Sequence, residues 1–91
     1  MTLDELYQTI KERKTKMPEK SYVASLFQKG SDRIIQKIGE EATEVVIAAK
    51  NEDKKRIIEE TADLWFHILV MLVSTDIKPE DIYKELEKRR K

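Results

Sequence analysis

The chain has 91 residues, enough for one small domain. Its 18 basic and 18 acidic residues balance, which argues against a protein that binds nucleic acid mainly through the phosphate backbone. It contains no cysteine, so disulfides and thiolate metal sites are excluded. Charged residues make up 40% of the chain, and there are only two glycines and two prolines, a composition typical of helices with solvated outer faces.

The sequence shows no targeting or membrane-spanning segment. The acidic, amphipathic residues 1–6 differ from the basic start of a signal peptide. The longest apolar run, residues 64–73, is interrupted by His67 and is much shorter than the about 20 residues that cross a bilayer. We therefore expect a cytoplasmic protein.

Apolar spacing predicts a first helix over residues 3–16. Thr2 followed by Glu5 has the spacing of a capping box at its start. Pro18 should end the helix, because proline disfavours helical geometry in the residue before it.

A short helix or a turn is expected over residues 21–29. Gly30 should terminate it, and Ser31 should cap the helix that follows. We expect Tyr22 to pack in the core, with stacking on a nucleotide base as the alternative. The residues expected to face inward are Tyr22, Val23, Leu26 and Phe27.

The third helix is predicted over residues 32–50. At 100° per residue its apolar side chains fall within an arc of about 120°. Glu41 lies at the edge of that arc and Glu44 lies further round. Lys37 and Arg33 precede these acids on the same border, so acidic and basic groups meet beside the core.

A fourth helix is predicted over residues 54–74, after a break at residues 51–53. Glu60, Asp63 and His67 follow one line along it. From residue 64 onward the helix is apolar almost all round, and such a helix must be covered on every side. We therefore predict a homodimer in which this segment lies near the shared core.

The last helix should open at Pro79. Ile77 and Ile82 have the spacing of a hydrophobic staple, and Tyr83 and Leu86 should extend the buried edge. The basic residues 88–91 complement the negative end of the helix dipole. The predicted fold is all-α, one domain over residues 1–91, with a protomer of four to five helices whose bundle is completed in a homodimer.

Carboxylates at helical spacing on two antiparallel helices suit a hard divalent cation. Mg²⁺ and Mn²⁺ prefer oxygen ligands, and Mg²⁺ commonly shares its coordination sphere with substrate phosphates. Zinc is disfavoured by a single histidine and no cysteine. The basic side chains that could complete a polyphosphate clamp are Lys29, Arg33 and Lys37. The acidic side chains are Glu41, Glu44, Glu60 and Asp63.

A solvated acidic stripe with intrahelical ion pairs is the alternative. Repulsion between like charges one turn apart costs only about 0.2–0.5 kcal/mol per pair, so energetics do not decide between a stripe and a metal site. A lone histidine such as His67 is most often a hydrogen-bonded core residue. Its alignment with Asp63 makes orientation of a ligand carboxylate the functional alternative.

Longer strings make the acidic pattern specific. Residues 37–50 read KIGEEATEVVIAAK and residues 60–67 read ETADLWFH. Together with SYVA at residues 21–24 and KGSDRI at residues 29–34, they resemble the phosphoribosyl-ATP pyrophosphohydrolase family. That family belongs to the all-α nucleoside triphosphate pyrophosphohydrolase superfamily, whose pattern is Glu-x-x-Glu, a gap, then Glu-x-x-Asp. The resemblance covers roughly residues 2–87.

The resemblance implies hydrolysis of the α–β phosphoanhydride of phosphoribosyl-ATP, the second step of histidine biosynthesis, by a Mg²⁺-dependent homodimer in its stand-alone form. It places Lys37, Arg33 and Lys29 on the phosphates. It places the metal at the four carboxylates, Glu41, Glu44, Glu60 and Asp63. We assign Glu40 as the candidate that orients or deprotonates the attacking water. The alternatives are a house-cleaning dNTP pyrophosphohydrolase of the same superfamily and a non-enzymatic helical dimerisation module.

Overall fold

The computed structural model describes residues 1–90, so Lys91 of the predicted basic C-terminal run lies outside the described residues. None of residues 1–90 forms a strand, which confirms the all-α prediction. None of the five helices combines the length and the hydropathy needed to cross a membrane. The helices are α1 (Leu3–Lys16), α2 (Tyr22–Lys29), α3 (Ser31–Lys50), α4 (Lys54–Ser74) and α5 (Pro79–Arg89).

Side-chain caps fix where most of the helices begin. The Thr2 hydroxyl accepts from the Glu5 amide at 3.1 Å, and the Ser21 hydroxyl accepts from the Ala24 amide at the same distance. The Asp53 carboxylate accepts from the Arg56 amide in the first turn of α4, at 3.2 Å. Each cap satisfies a backbone donor that the first helical turn leaves without a partner.

The junction between α2 and α3 differs from the prediction. Gly30 is both the C-cap of α2 and the N-cap of α3. Its φ of 97° lies in a region that residues with a Cβ atom rarely adopt. Ser31 is the first residue of α3 and makes no capping hydrogen bond, so its predicted role as N-cap is wrong. A single glycine therefore links the two helices.

The hydrophobic core lies at one end of the α3–α4 hairpin. Helices α3 and α4 pack against each other along their length as an antiparallel pair, α1 packs against α4, and α2 packs against α3 and α1. The acidic residues lie in the middle of the hairpin and are not part of this core. The buried core side chains are Tyr7, Ile10, Val23, Leu26, Ile34, Leu69, Val70, Leu72 and Val73.

Several apolar side chains that were expected inside are exposed in the single chain. Tyr22 is 49% exposed, and Tyr83 and Leu86 on α5 are 42% and 62% exposed, so the prediction that they are buried is wrong for this chain by itself. Helix α5 touches little besides α1, which explains its open apolar side. Ile58 and Trp65 on α4 are likewise exposed.

Candidate metal centre and phosphate site

Three carboxylates from two helices converge beside the core. One oxygen each of Glu41 on α3 and of Glu60 and Asp63 on α4 lie within 4.8 Å of one another. Glu60 and Asp63 share a face because they are three residues apart on one helix, and the antiparallel hairpin brings Glu41 opposite them. Ligands on opposite sides of Mg²⁺ are about 4.2 Å apart, since each Mg–O bond is about 2.1 Å. The triad of Glu41, Glu60 and Asp63 therefore fits a cation of this size with small side-chain movements.

The charges of this triad are poorly compensated at Glu60. Burial away from water raises the pKa of Glu60 above its ordinary value, and the negative charges of Glu41, Glu44 and Asp63 raise it further. Arg56 opposes these effects. The site therefore disfavours its own full ionisation, which a bound cation would relieve.

Glu44 lies apart from the triad and is held by Arg56. One Arg56 guanidinium nitrogen lies 3.6 Å from a Glu44 oxygen on α3 and 3.2 Å from a Glu60 oxygen on α4. Arg56 thus links the two helices beside the triad. Sequence analysis did not assign Arg56 to the site, although its position four residues before Glu60 is the signal that could have indicated this contact.

A second network joins the triad to basic side chains on α3. The ammonium of Lys37 lies 3.1 Å from Glu41 and 3.4 Å from Glu40, and its side chain is only 18% exposed. The hydrogen bond to Glu41 raises the pKa of Lys37, although burial acts in the opposite direction. The Arg33 guanidinium lies 3.6 Å from the second oxygen of Glu40. Lys37 therefore contacts the triad directly, whereas Arg33 is connected to it only through Glu40 and Lys37. Phosphate binding by these two residues stays a prediction.

Glu40 and Lys29 have less direct relations to the triad. Both oxygens of Glu40 already face donors. Lys37 lies beside one oxygen, and the other faces Arg33 and accepts from the Gln36 amide at 3.1 Å. Lys29 is exposed at the end of α2 and makes no ion pair with another of residues 1–90. Water activation by Glu40 and phosphate binding by Lys29 stay predictions.

His67 is 4% exposed and connects two parts of the site. Its Nδ1 lies 2.7 Å from the backbone carbonyl of Asp63, and its Nε2 lies 2.9 Å from the Tyr22 hydroxyl. A carbonyl only accepts hydrogen bonds, so Nδ1 carries a proton, and in this tautomer of the neutral ring Nε2 accepts from the hydroxyl. His67 thus holds the backbone of Asp63 rather than its carboxylate. Its predicted role in orienting a ligand stays a prediction.

Known proteins resemble this chain over nearly its whole length. The sequence profile of the family described as phosphoribosyl-ATP pyrophosphohydrolase matches residues 3–90. A phosphoribosyl-ATP pyrophosphatase of Clostridium botulinum is 53% identical over 97% of this chain and 80% of the relative. One of Geobacter metallireducens is 56% identical over 96% of this chain and 80% of the relative.

A histidine biosynthesis bifunctional protein of Caldanaerobacter subterraneus is also similar, with 53% identity over 98% of this chain and 43% of the relative. The matched segment contains the whole α3–α4 hairpin with its carboxylates and basic side chains. The chain belongs to the phosphoribosyl-ATP pyrophosphohydrolase family.

Proposed function

We propose that this protein hydrolyses phosphoribosyl-ATP to phosphoribosyl-AMP and pyrophosphate, the second step of histidine biosynthesis. Family membership over nearly the whole chain and the names of relatives at 53–56% identity support this activity. The observation that carries it is the triad of Glu41, Glu60 and Asp63, with Lys37 directly beside it. Carboxylates for a hard cation next to an ammonium group suit a polyphosphate substrate.

The cofactor that this arrangement supports best is Mg²⁺. Glu41, Glu60 and Asp63 would hold it, and Glu44 is the further candidate if Arg56 releases its carboxylate. When bound, the ion would neutralise phosphate charge and polarise the anhydride. The spacing of the three oxygens and the raised pKa of Glu60 are the local features that support a cation here.

The chain's own residues then have separable roles. Lys37 lies 3.1 Å from Glu41, so a polyphosphate bound at the triad would meet its ammonium, and Arg33 would extend the positive charge outward. Water adds to the α-phosphorus, the bond to the bridging oxygen breaks, and its electron pair leaves with pyrophosphate. Glu40 is the candidate that orients this water or takes its proton, which requires it to exchange one of its present donors.

A homodimer is the assembly that this surface supports. Ile58 and Trp65 are 70% and 53% exposed on α4, and the apolar side of α5 is open as well. An apolar groove of about 290 Å³ runs between α1, α4 and α5 and includes Trp65 and Leu86. Large exposed apolar surfaces of this kind mark interfaces, and a second copy would cover the hairpin outside the core.

Pyrophosphate release from phosphoribosyl-ATP, measured beside a panel of dNTPs, tests the function. We expect phosphoribosyl-ATP to be the preferred substrate and the activity to need added Mg²⁺. Glu41→Ala and Asp63→Ala should reduce release to background while circular dichroism stays helical. Glu59→Ala, at an exposed acid next to the triad, is the matched control. Retained turnover in either triad variant would contradict the assignment, and preference for a dNTP would favour the house-cleaning alternative.

A further inference from the structure

Tyr22 combines a fixed hydroxyl with an open ring. It is the first residue of α2, and its hydroxyl donates to buried His67 at 2.9 Å, yet the residue is 49% exposed. Core packing does not account for this exposure. A tyrosine held at its polar end and open along its ring resembles a binding surface more than a filler of the core.

Three contacts hold the side chain of Tyr22 in place. Phe66 stacks on one side, with centroids 6.2 Å apart and planes at 26°. The ring of His67 meets it edge-on at 5.7 Å and 81°. The residue is nevertheless 49% exposed, so these contacts leave part of it open to solvent. The hydrogen bond from the hydroxyl to His67 holds the ring in one orientation.

Tyr22 is linked to the turn of α4 that carries the triad residue Asp63. His67 donates to the backbone of Asp63, so Tyr22 is attached through a single side chain to a helix turn that carries a triad carboxylate. Across the hairpin, Lys37 lies 3.1 Å from Glu41, whose carboxylate belongs to the same triad as that of Asp63. The aromatic ring is therefore joined through His67 to the turn that carries Asp63, and the triad connects that turn to the cation that we assign to the phosphates.

Resting on the proposed function, we propose that Tyr22 stacks on the adenine ring of the nucleotide and that His67 is the residue that positions it. A purine offers a flat π-face, and a base stacked on an aromatic side chain gains roughly five- to a hundredfold in affinity. The hydrogen bond to His67 removes the need to order the ring on binding, which strengthens such a contact.

Two ligands without a phosphoanhydride test the stacking apart from catalysis. AMP and ribose 5-phosphate share a ribose and a phosphate and differ in the base, so their affinities, measured by calorimetry with Mg²⁺ present, isolate the contribution of adenine. We expect the wild type to prefer AMP by about fivefold or more. Tyr22→Leu should abolish the preference, and Tyr22→Phe, which keeps the ring, should retain most of it. Lys84→Gln, at an exposed ion pair on α5, is the control.

Turnover gives a second readout. Tyr22→Leu should raise KM for phosphoribosyl-ATP about fivefold or more and leave kcat within a few-fold, because stacking acts on the bound substrate and the transition state alike. His67→Gln, whose amide oxygen can accept from the hydroxyl, should retain more of the AMP preference than His67→Leu. A thermal melt of each variant confirms that it is folded.

The outcomes separate the stacking from the proposed function. An equal affinity for AMP and ribose 5-phosphate in the wild type, no measurable AMP binding, or an AMP preference that survives Tyr22→Leu overturns the role of Tyr22. If AMP binds through Tyr22 while phosphoribosyl-ATP is not hydrolysed, the adenine site stands and the proposed reaction fails.

Discussion

The ammonium of Lys37 lies 3.1 Å from the carboxylate of Glu41, so the residue assigned to the substrate phosphates is already paired with a residue assigned to the metal. Because this pair lies within one turn of α3, the two groups are held together by the helix itself. Arrival of a divalent cation at Glu41 would free the ammonium to face an anion.

Replacing Lys37 should therefore damage substrate use more than metal binding. A charged hydrogen bond to phosphate contributes about 1.5–3 kcal/mol, so Lys37→Gln should lower kcat/KM by roughly ten- to a hundredfold. Mg²⁺ affinity should rise or stay unchanged, because Glu41 loses a competing cation. Steady-state kinetics and Mg²⁺ titration by calorimetry separate these effects. Lys84→Gln, at an exposed ion pair on α5, is the control, and a variant with full kcat/KM would remove Lys37 from the site.

Replacing Glu60 with its neutral isostere should stabilise the metal-free protein. Its carboxylate lies among Glu41, Asp63 and, further away, Glu44, and Glu60→Gln removes this repulsion at the cost of a weakened contact to Arg56. We expect a higher Tm in EDTA, a smaller increase in Tm on adding Mg²⁺, and pyrophosphate release lowered by about a hundredfold or more. Glu59→Gln should change none of the three. An unchanged Mg²⁺ response in Glu60→Gln would contradict the metal site.

An exposed isoleucine can test the proposed interface. Ile58→Glu is harmless to a single chain, because residue 58 is exposed, but it would bury a charge if a second copy covers α4. Sedimentation should show a wild-type dimer at micromolar concentration and a variant dimer weakened by about tenfold or more, since unpaired charges in interfaces cost several kcal/mol. Gln8→Glu adds the same charge to the exposed side of α1. A wild-type monomer at micromolar concentration would contradict the dimer.

Alkaline pH should destabilise the protein through Tyr7. Burial raises the pKa of Tyr7 above 10.0, and the charges of Asp76 and Asp81 raise it further. The unfolded chain then loses the phenolic proton first, so stability is complete below the unfolded pKa and is lost as pH rises through the folded pKa. Urea unfolding across this alkaline range should show a steeper loss in the wild type than in Tyr7→Phe. Parallel curves would show that Tyr7 is not responsible.

The features that depend on local spacing were predictable. The limits of α4 follow from Asp53 as a cap and from the apolar run that ends at Ser74. The convergence of Glu41 with Glu60 and Asp63 follows from helical periodicity and a short connection, which forces α3 and α4 to be antiparallel.

The features that depend on neighbours distant in the chain could not be predicted from local spacing. Tyr22 has the apolar spacing of a core residue, but it is 49% exposed, and its hydroxyl bonds to buried His67, 45 residues away, a contact that no local pattern indicates. Tyr83 and Leu86 were placed inside because they lie on the apolar side of α5, but that side meets little of this chain. Ser31 has the chemistry of a cap, yet Gly30 takes that position because the turn needs a positive φ.

If Tyr22 and Lys37 both bind the nucleotide as proposed, Gly30 would also affect which molecules the site can accept. Helix α2, which carries Tyr22, ends where α3, which carries Lys37, begins, so no flexible loop separates the two. The span from the aromatic ring to the ammonium is therefore set by two rigid helices and one fixed corner. A nucleotide whose base lies too near to or too far from its anhydride could engage only one of the two groups, which would make selection by length a property of the backbone.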